Sequence, residues 1–471
     1  MSDRVTASSF SSRSAAESLE AIRKDLETGE IDTILVGGAD SNGAFRAKRL
    51  PVSRFARDPS DAQHFSDLVF ALDHMDAIIA PPPDYPGWFP NWSDGFGDIN
   101  AVPDLTTYRR VPWLERTALV LADFEHLDGR AVQESPRAVL RTVVDRLAGL
   151  GYTAMTSPEL EFVVLRGRPD ELAESDFRDL TPLGSSAIAY GAQRATDDER
   201  VIGPIRQALE GLGVEIEASN AEAGLGQYEL NLPPHPGLHS GDQAFLFKHT
   251  VREVADLHGY TATFMARPIA EGFGSSCHVH QSLWTADGEN AFSDTTDPDL
   301  LSNVGRHFIA GQLATLREFA ALFAPTINSY KRYLPESAAG TTRTWAFQAK
   351  TVGVRVCTDS PNSTRVEHRA PGADANPYLV LAATLAGGIW GIENELDPGP
   401  PYRGNAYTDP TVEQIPATLG EAVELFEQSE AANAVFGEDV VRFIGALRRH
   451  EVAQYGQSVT DWEIRRYLTR V

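Results

Sequence analysis

Ionisable side chains recur two residues apart in stretches that otherwise read as β-strands: Glu159-Leu160-Glu161, His278-Val279-His280 and Glu367-His368-Arg369. A further pair, Glu222 and Glu229, brackets AGLGQY, whose glycines permit a tight turn. Strand side chains alternate between faces, so Glu159 and Glu161 share one face while Leu160 and Phe162 point to the other, toward a core. Two carboxylates on one face repel unless something positive lies between them. A single such pair is ordinarily a solvated sheet edge, and His278 alone would read as a satisfied structural histidine. Several such segments, with His280 and the glycine-containing EGFGSSC run beside His278, call for a fold that lines the strands up and for a cation between them. Mg²⁺ and Mn²⁺ prefer carboxylate oxygens with an occasional imidazole. Zinc fits less well, because Cys277 and Cys357, the two cysteines, lie outside any zinc-ligand spacing.

Arg332, Lys350, Arg355, Arg365 and Arg369 fall within one short stretch and alternate with Val354, Val356 and Val366. They read either as a surface charge run or as the wall of a cleft. Divalent cations beside a basic cluster suggest phosphoryl transfer, which depends on charge neutralisation and positioning. No G-x-x-x-x-G-K-[ST] loop is present, and the glycine turn at residues 37–43 is too weak a signal to assign a nucleotide site.

The rest of the chain sets the frame. Its 471 residues suggest two or three domains. Residues 1–18 are Ser-rich and read as a flexible tail, a transit peptide being the alternative. Residues 16–28 read as a helix, 33–36 as a strand, and Gly37-Gly38-Ala39-Asp40 as a turn. Residues 80–104 are irregular and rich in Pro, Gly and aromatics. Ser135-Pro136 starts a helix that Gly149 and Gly151 stop, and residues 152–165 read as a strand. Asn376-Pro377 caps a helix apolar on most sides, and Thr460 with Glu463 forms a capping box before the last helix.

The chain carries 41 Lys+Arg against 66 Asp+Glu, a formal charge of −25. That excess argues against a nucleic-acid partner and against docking on an anionic membrane. At first sight it hints at a cationic substrate. No apolar run reaches the ~20 residues of a membrane span. Two cysteines and no apolar leader segment suggest a reducing, cytoplasmic setting.

Seven segments, in order, resemble the glutamine synthetase family and its glutamate–amine ligases: ADSNGAFRAKRLP (39–51), GDINAVPDLTTYRRVPW (97–113), SPELEF (157–162), AEAGLGQYE (221–229), FMARP followed by GSSCHVHQS (264–282), APTINSYKR (324–332) and RVEHRAPGADANPYL (365–379). The resemblance implies an α+β fold, with a small β-grasp domain at 19–130. A larger catalytic domain, with a curved antiparallel sheet and flanking helices, follows at 131–471. It implies a dodecamer of two hexameric rings with active sites between subunits. It also implies a reaction in which ATP phosphorylates the γ-carboxylate of L-glutamate and an amine displaces the phosphate.

By the matching motifs, Glu161, Glu222 and Glu229 resemble the ligands of one metal, and Glu159, His278 and Glu367 those of a second, giving two or more Mg²⁺ or Mn²⁺ per site. Arg332 and Arg369 resemble the glutamate-binding arginines, with Gly274 allowing close backbone approach. His280, Ser282, Arg355 and Arg365 match phosphate and nucleotide contacts. Asp40, from a neighbouring subunit, matches the acid at the amine site; Lys350 stands beside Arg355 among the catalytic positions.

The departures are specific. Ala338 occupies the position of the flap glutamate that serves ammonia-using members, and Glu336 lies two residues away. Lys350 replaces an arginine, Ser276 a glycine and Phe273 an asparagine. The segment carrying the adenylylated tyrosine is not recognisable, and FGEDVVRF with VTDWEIRRYL resembles the divergent branch that makes γ-glutamyl amides of polyamines or anilines. The expectation is therefore a ligase for an organic amine. Trp88, Phe89 and Trp92 are candidate walls for that amine, core packing being the alternative. Two other readings stand beside it: an ammonia-using glutamine synthetase with Glu336 as flap acid, and a non-catalytic protein on the same fold.

Overall fold

The computed structural model describes residues 14–83 and 85–471. The tail reading for residues 1–13 lies outside them. The first helix is Ala15–Thr28, so residues 15–18 are its first turn and not tail. Ser14 explains the start: its hydroxyl accepts from the Glu17 amide while the Glu17 carboxylate accepts from the Ser14 amide, a reciprocal cap. Gly29, in the left-handed region, ends the helix.

Two sheets follow. The first has six strands: β1 (Thr33–Ala39), β2 (Phe45–Pro51), β3 (Gln63–Ser66), β4 (Asp98–Pro103), β5 (Arg109–Arg110) and β6 (Thr117–His126). Their order is β2-β1-β6-β4-β3, with β5 also on β6; β1 and β6 are parallel and the other pairs antiparallel. The glycines expected to form a turn after β1 lie inside it. A Cβ on Gly37 would stand 1.9 Å from the Arg46 carbonyl oxygen, and one on Gly38 would stand 2.9 Å from that of Ala122. The pair therefore serves close strand approach, and the reversal comes later, at Asp40–Gly43.

Residues 80–83 and 85–97 are irregular, as expected, but the stretch read as irregular to 104 ends sooner, because 98–103 pair as β4. Trp88 stacks on Phe443 with ring centroids 6.1 Å apart, and Phe89 is buried against the same ring. Phe89 belongs to the core of its own chain and partly buried Trp88 packs against that core, which is the core-packing alternative. Trp92 is exposed and packs edge-on against Phe96.

The second sheet has nine strands: β7 (Tyr152–Arg166), β8 (Ala218–Ala221), β9 (Gln227–Asn231), β10 (His235–Pro236), β11 (Tyr260–Thr263), β12 (Cys277–Thr285), β13 (Trp345–Phe347), β14 (Val354–Cys357) and β15 (Arg365–His368). Its order is β13-β14-β15-β12-β7-β9-β8, with β10 and β11 also on β7, and only β13 and β14 run parallel. Long β7 is the spine. Helices Pro136–Gly149, Gly237–Leu257, Asn303–Thr315 and Pro377–Glu393 flank this curved sheet, making the fold α+β. Ser135 and Asn376 cap two of them, as their sequences predict, and Thr460 with Glu463 closes the expected capping box on Asp461–Tyr467. No described helix is long and apolar enough to cross a membrane.

One buried cation ties the sheets together. Arg137 donates to Asp242 on helix Gly237–Leu257 through Nε and Nη2 (2.9 Å each), to Asp123 of β6 (2.6 Å) and to Asp104 just after β4 (2.7 Å). The Tyr378 hydroxyl completes the shell of Asp242 at 2.7 Å.

Candidate active site

The register of the second sheet explains how residues distant in sequence converge. β12 lies between β7 and β15. His278 stands opposite Glu159, and His280 opposite Glu367. Arg355 on β14 also stands opposite Glu367, and Glu161 opposite Glu229 on β9. Paired strands run about 4.8 Å apart, so five adjacent strands carry one floor of ionisable side chains. His368, between Glu367 and Arg369, faces the other way and packs against Phe323 in the core.

The floor has two halves. In the first, Glu159, His278 and Glu367 bring one ligand atom each to within 4.8 Å of one another. His278 Nδ1 is 3.7 Å from both Glu159 Oε2 and Glu367 Oε1. Burial, helped by Arg369, lowers the His278 pKa to about 4, so its imidazole is neutral at pH 7 and keeps a lone pair. His278 Nε2 is buried without a hydrogen-bond partner. Arg355 donates to Glu367 Oε2 at 2.7 Å, and Arg369 pairs with Oε1. Burial alone would raise Glu367, but Arg369 and the two imidazoles outweigh it and hold the carboxyl at about 2. His280 links the half to Arg365. The Arg365 Nε donates to His280 Nδ1 at 3.3 Å, which leaves the proton on Nε2, 3.3 Å from Glu159 Oε2.

In the second half, Glu161, Glu222 and Glu229 face one another. Burial pushes Glu161 up to about 7 despite the Ser276 amide and Arg332, with Glu222 and Glu159 adding repulsion. Burial and then Glu159 raise Glu229, and burial raises Glu222. These three do not converge to the 4.8 Å spacing of the first half. Lys350, exposed, faces Glu222 electrostatically.

Two buried arginines close one end. Arg332 donates to the Ala370 carbonyl (2.8 Å) and Ser276 Oγ (2.7 Å). Arg369 donates to the Ala338 carbonyl at 3.1 Å. A Cβ on Gly274 would fall 2.5 Å from the Ala266 carbonyl oxygen and 2.8 Å from Arg332 Cγ, so only glycine fits there. Ser282 lies on β12 two residues past His280 and accepts from Trp284 Nε1 at 2.9 Å. Ala338 and Glu336 both have φ near +60° and are exposed, and no hydrogen bond or ion pair of the Glu336 side chain appears among the described residues.

Asp40 stands apart from this floor. It is buried at the β1–β2 reversal, where Oδ1 accepts from the Asn42 and Ala44 amides (2.9 Å each) and Oδ2 from Arg46 Nε at 2.8 Å. Its carbonyl accepts from the Asn376 side chain at 3.2 Å.

Three residues escape sequence reasoning. Gln227 donates to Glu161 Oε2 at 2.8 Å and to the Gly274 carbonyl at 3.1 Å; its place inside GQYE was the available signal. Ser276, noted only as a departure, donates its amide to Glu161 Oε2 at 2.8 Å and accepts from Arg332. Tyr190, 70% exposed, lies within electrostatic reach of Glu222, Glu229, Glu159 and Glu161; nothing in its irregular surroundings marks it.

Comparison with known proteins puts this arrangement in context. The family model described as glutamine synthetase, catalytic domain, matches residues 133–467. A glutamate–isopropylamine ligase from a Pseudomonas species is 37% identical over 450 residues, 95% of this chain and 97% of that protein. The γ-glutamylethanolamide synthetase GlnA4 of Streptomyces coelicolor is 38% identical over 453 residues, 96% of each chain. The solved structure of GmaS without ligand superimposes with a TM-score of 0.80 at 31% identity, covering 95% of this chain and 99% of that one.

Proposed function

The chain belongs to the glutamine synthetase superfamily, and we propose that it is the ligase that joins the γ-carboxylate of L-glutamate to an organic amine, driven by ATP. The observation that carries this reading is position 338. Ammonia-using members hold a flap glutamate there; this chain has exposed Ala338 beside Ser337, Ala339 and Gly340. Removing an acid and leaving small residues takes away both the attraction for a small cation and the bulk that would exclude a larger amine. The organic amines in the names of the two curated relatives support the same reading.

The donor sets suit divalent cations. Neutral His278 with two carboxylates, and a second set of three carboxylates of which Glu161 and Glu229 are buried, offer the oxygen-rich surroundings that Mg²⁺ or Mn²⁺ prefer. Glu159, His278 and Glu367 would hold one ion and Glu161, Glu222 and Glu229 another. Such ions neutralise charge on a transferring phosphoryl group.

The protein's own groups do the rest. Arg332 and Arg369 bind and orient the glutamate carboxylates, and Gly274 lets the backbone approach the substrate. His280, Ser282, Arg355 and Arg365 face the nucleotide and its phosphates, Arg355 stabilising the charge that develops, with Lys350 in support. A γ-carboxylate oxygen of glutamate bonds to the γ-phosphorus of ATP as the bond to ADP breaks. The unprotonated amine then bonds to the acyl carbon, and the carbon–oxygen bond breaks with phosphate leaving. The amine arrives as a cation, so a proton must be removed before attack. Asp40 of a neighbouring subunit, by its motif the acid that helps bind the incoming amine, is the group we assign to that end of the site. This requires sites shared between subunits, as in a dodecamer of two hexameric rings, with the 19–130 unit of one subunit against the 131–471 unit of the next, in the cytoplasm.

The test is a panel of amines with purified protein, L-glutamate, Mg²⁺ and ATP, reading glutamate-dependent ADP release. An organic amine is expected to exceed ammonia in kcat/KM. If ammonia outcompetes every organic amine, the reading fails. In that case Glu336, on the same exposed flap, becomes the candidate acid, and Glu336→Ala would abolish glutamine formation.

A further inference from the structure

The three acids of the second half repel one another, yet the hairpin that carries two of them is braced through its backbone carbonyls. Behind it lies Arg194, in the first turn of helix Ala192–Leu212 and only 5% exposed. Its guanidinium donates to three backbone carbonyls of one turn: Glu222 (2.5 Å), Gly224 (3.0 Å) and Gln227 (2.8 Å). Its charge is not spent on the acids. Buried Asp198 stands 4.0 Å from Arg194 Nε and accepts from the Tyr228 hydroxyl at 2.6 Å, while the guanidinium lies over the Tyr228 ring. The arginine thus acts as a planar fork of donors.

On the inner side, Gln227 spans the gap. Its Oε1 accepts from the Gly224 amide (2.8 Å), and its Nε2 donates to Glu161 Oε2, the Gly274 carbonyl and Ser275 Oγ. The turn is also pinned to β7. Gly226, at φ +66°, accepts at its carbonyl oxygen from the Val164 amide, and a Cβ there would strike the Val164 carbonyl oxygen at 2.6 Å.

We propose that Arg194 and Gln227 are positioning residues that keep Glu222, Glu229 and Glu161 near one another for a cation to draw together, Arg194 through the turn's carbonyls and Gln227 through the Glu161 carboxylate. The inference rests on reading these acids as a cation seat. Without the brace, the ion would have to gather the three mutually repelling carboxylates from a looser ensemble, and its affinity would fall by the added ordering free energy. Partners of ligands rather than ligands themselves typically change affinity by about 10–100-fold.

The experiment is Mn²⁺ binding to the full-length protein without substrates, by calorimetry and by electron paramagnetic resonance, alongside the Mg²⁺ dependence of ADP release. Arg194→Met and Gln227→Met are expected to weaken Mn²⁺ binding by about 10–100-fold. They should raise the Mg²⁺ needed for half-maximal rate in proportion, with kcat largely restored at saturating Mg²⁺. Arg194→Lys keeps the charge but loses the fork, and it is expected to behave like Arg194→Met. If Arg194→Met does not fold, Arg194→Lys and Gln227→Met carry the test. Unchanged Mn²⁺ affinity with a lowered Tm would overturn the brace, because both residues would then be structural only. Native affinity in Arg194→Lys would overturn the fork argument. These outcomes are separate from failure of the underlying reading, which would show as a wild-type protein that binds no Mn²⁺ at all.

Discussion

Glu367 and Glu161 are both buried glutamates on one face of one sheet, yet their surroundings drive them in opposite directions. Glu367 lies between Arg355 and Arg369 and is held at about 2. Glu161 lies among Glu222, Glu159 and a neutral amide and is pushed up to about 7. The first half of the floor balances its charge from within the protein. In the second half Arg332 and Lys350 offset only part of the acids' charge, and a proton or an added cation would balance the rest. A half that is already neutralised suits a ligand arriving with its own negative charge, such as a phosphate. A half that is not suits a bare cation.

The largest expected effect comes from breaking the balanced half. Glu367→Gln leaves two guanidiniums facing a neutral amide. Removing one partner of a buried pair costs about 3–5 kcal/mol, and losing an electrostatic element of the site should cost about 10²–10³ in kcat. Calorimetry and glutamate-dependent ADP release check both; near-normal turnover would show that the charge balance around Glu367 is incidental.

A smaller effect distinguishes the halves by the sign of their pH dependence. Glu161 has a folded-state pKa above its ordinary value of 4.5, so its contribution to stability is present below about 4.5 and lost as pH rises through about 7. Glu367 is depressed, so its contribution is present above about 4.5 and lost as pH falls through about 2. Without divalent cations, Tm should therefore decline as pH rises toward 7, and the increase in Tm on adding Mg²⁺ should grow over the same window. Glu229→Gln, which removes one member of the repelling set, should flatten that decline. A cation-induced shift that does not depend on pH would contradict the contrast.

The smallest effect is expected from Lys350→Arg. Lys350 is exposed, and exposed substitutions usually change stability by less than about 0.5 kcal/mol. ATP use measured by its KM should be unchanged or improved, because arginine adds a bidentate fork without altering the charge. A dead variant would mean that the loop before β14 holds a different geometry.

Much of this contrast was legible from side-chain alternation. Spacing alone puts Glu159 with Glu161 and His278 with His280 on shared faces, and strand-like surroundings put those faces on a sheet. Alternation says nothing about register, however, and register is what sets His278 against Glu159 and Arg355 against Glu367. His278 and Glu159 lie 119 residues apart in the chain, so no local signal carries that pairing, while Arg355 and Glu367 lie only 12 apart on neighbouring strands.

Gly37 and Gly38 misled for a related reason. Glycine marks a turn and a close strand contact alike, and only the neighbouring strands decide which. Trp88 and Phe89 could not be separated from Trp92 without knowing that Phe443, far along the chain, covers them. Gln227 and Ser276 act through an amide, a backbone N–H and a hydroxyl, groups whose direction composition does not reveal. The net charge of −25 proved the least informative number of all, since what matters is which few acids lack a cationic neighbour.

The shared cation Arg137 carries a consequence of a different kind. Its guanidinium is bound at once by carboxylates on the two sides of the molecule, Asp104 and Asp123 with the first sheet and Asp242 with the second. Pulling the sheets apart would strand a buried charge, at a cost comparable to a large fraction of a protein's total stability. The amino-terminal sheet and the acidic floor should therefore melt as one cooperative unit, with a single calorimetric transition. Any strain that a neighbouring molecule imposes on the β1–β2 reversal would then reach the floor mechanically, without a hinge to absorb it.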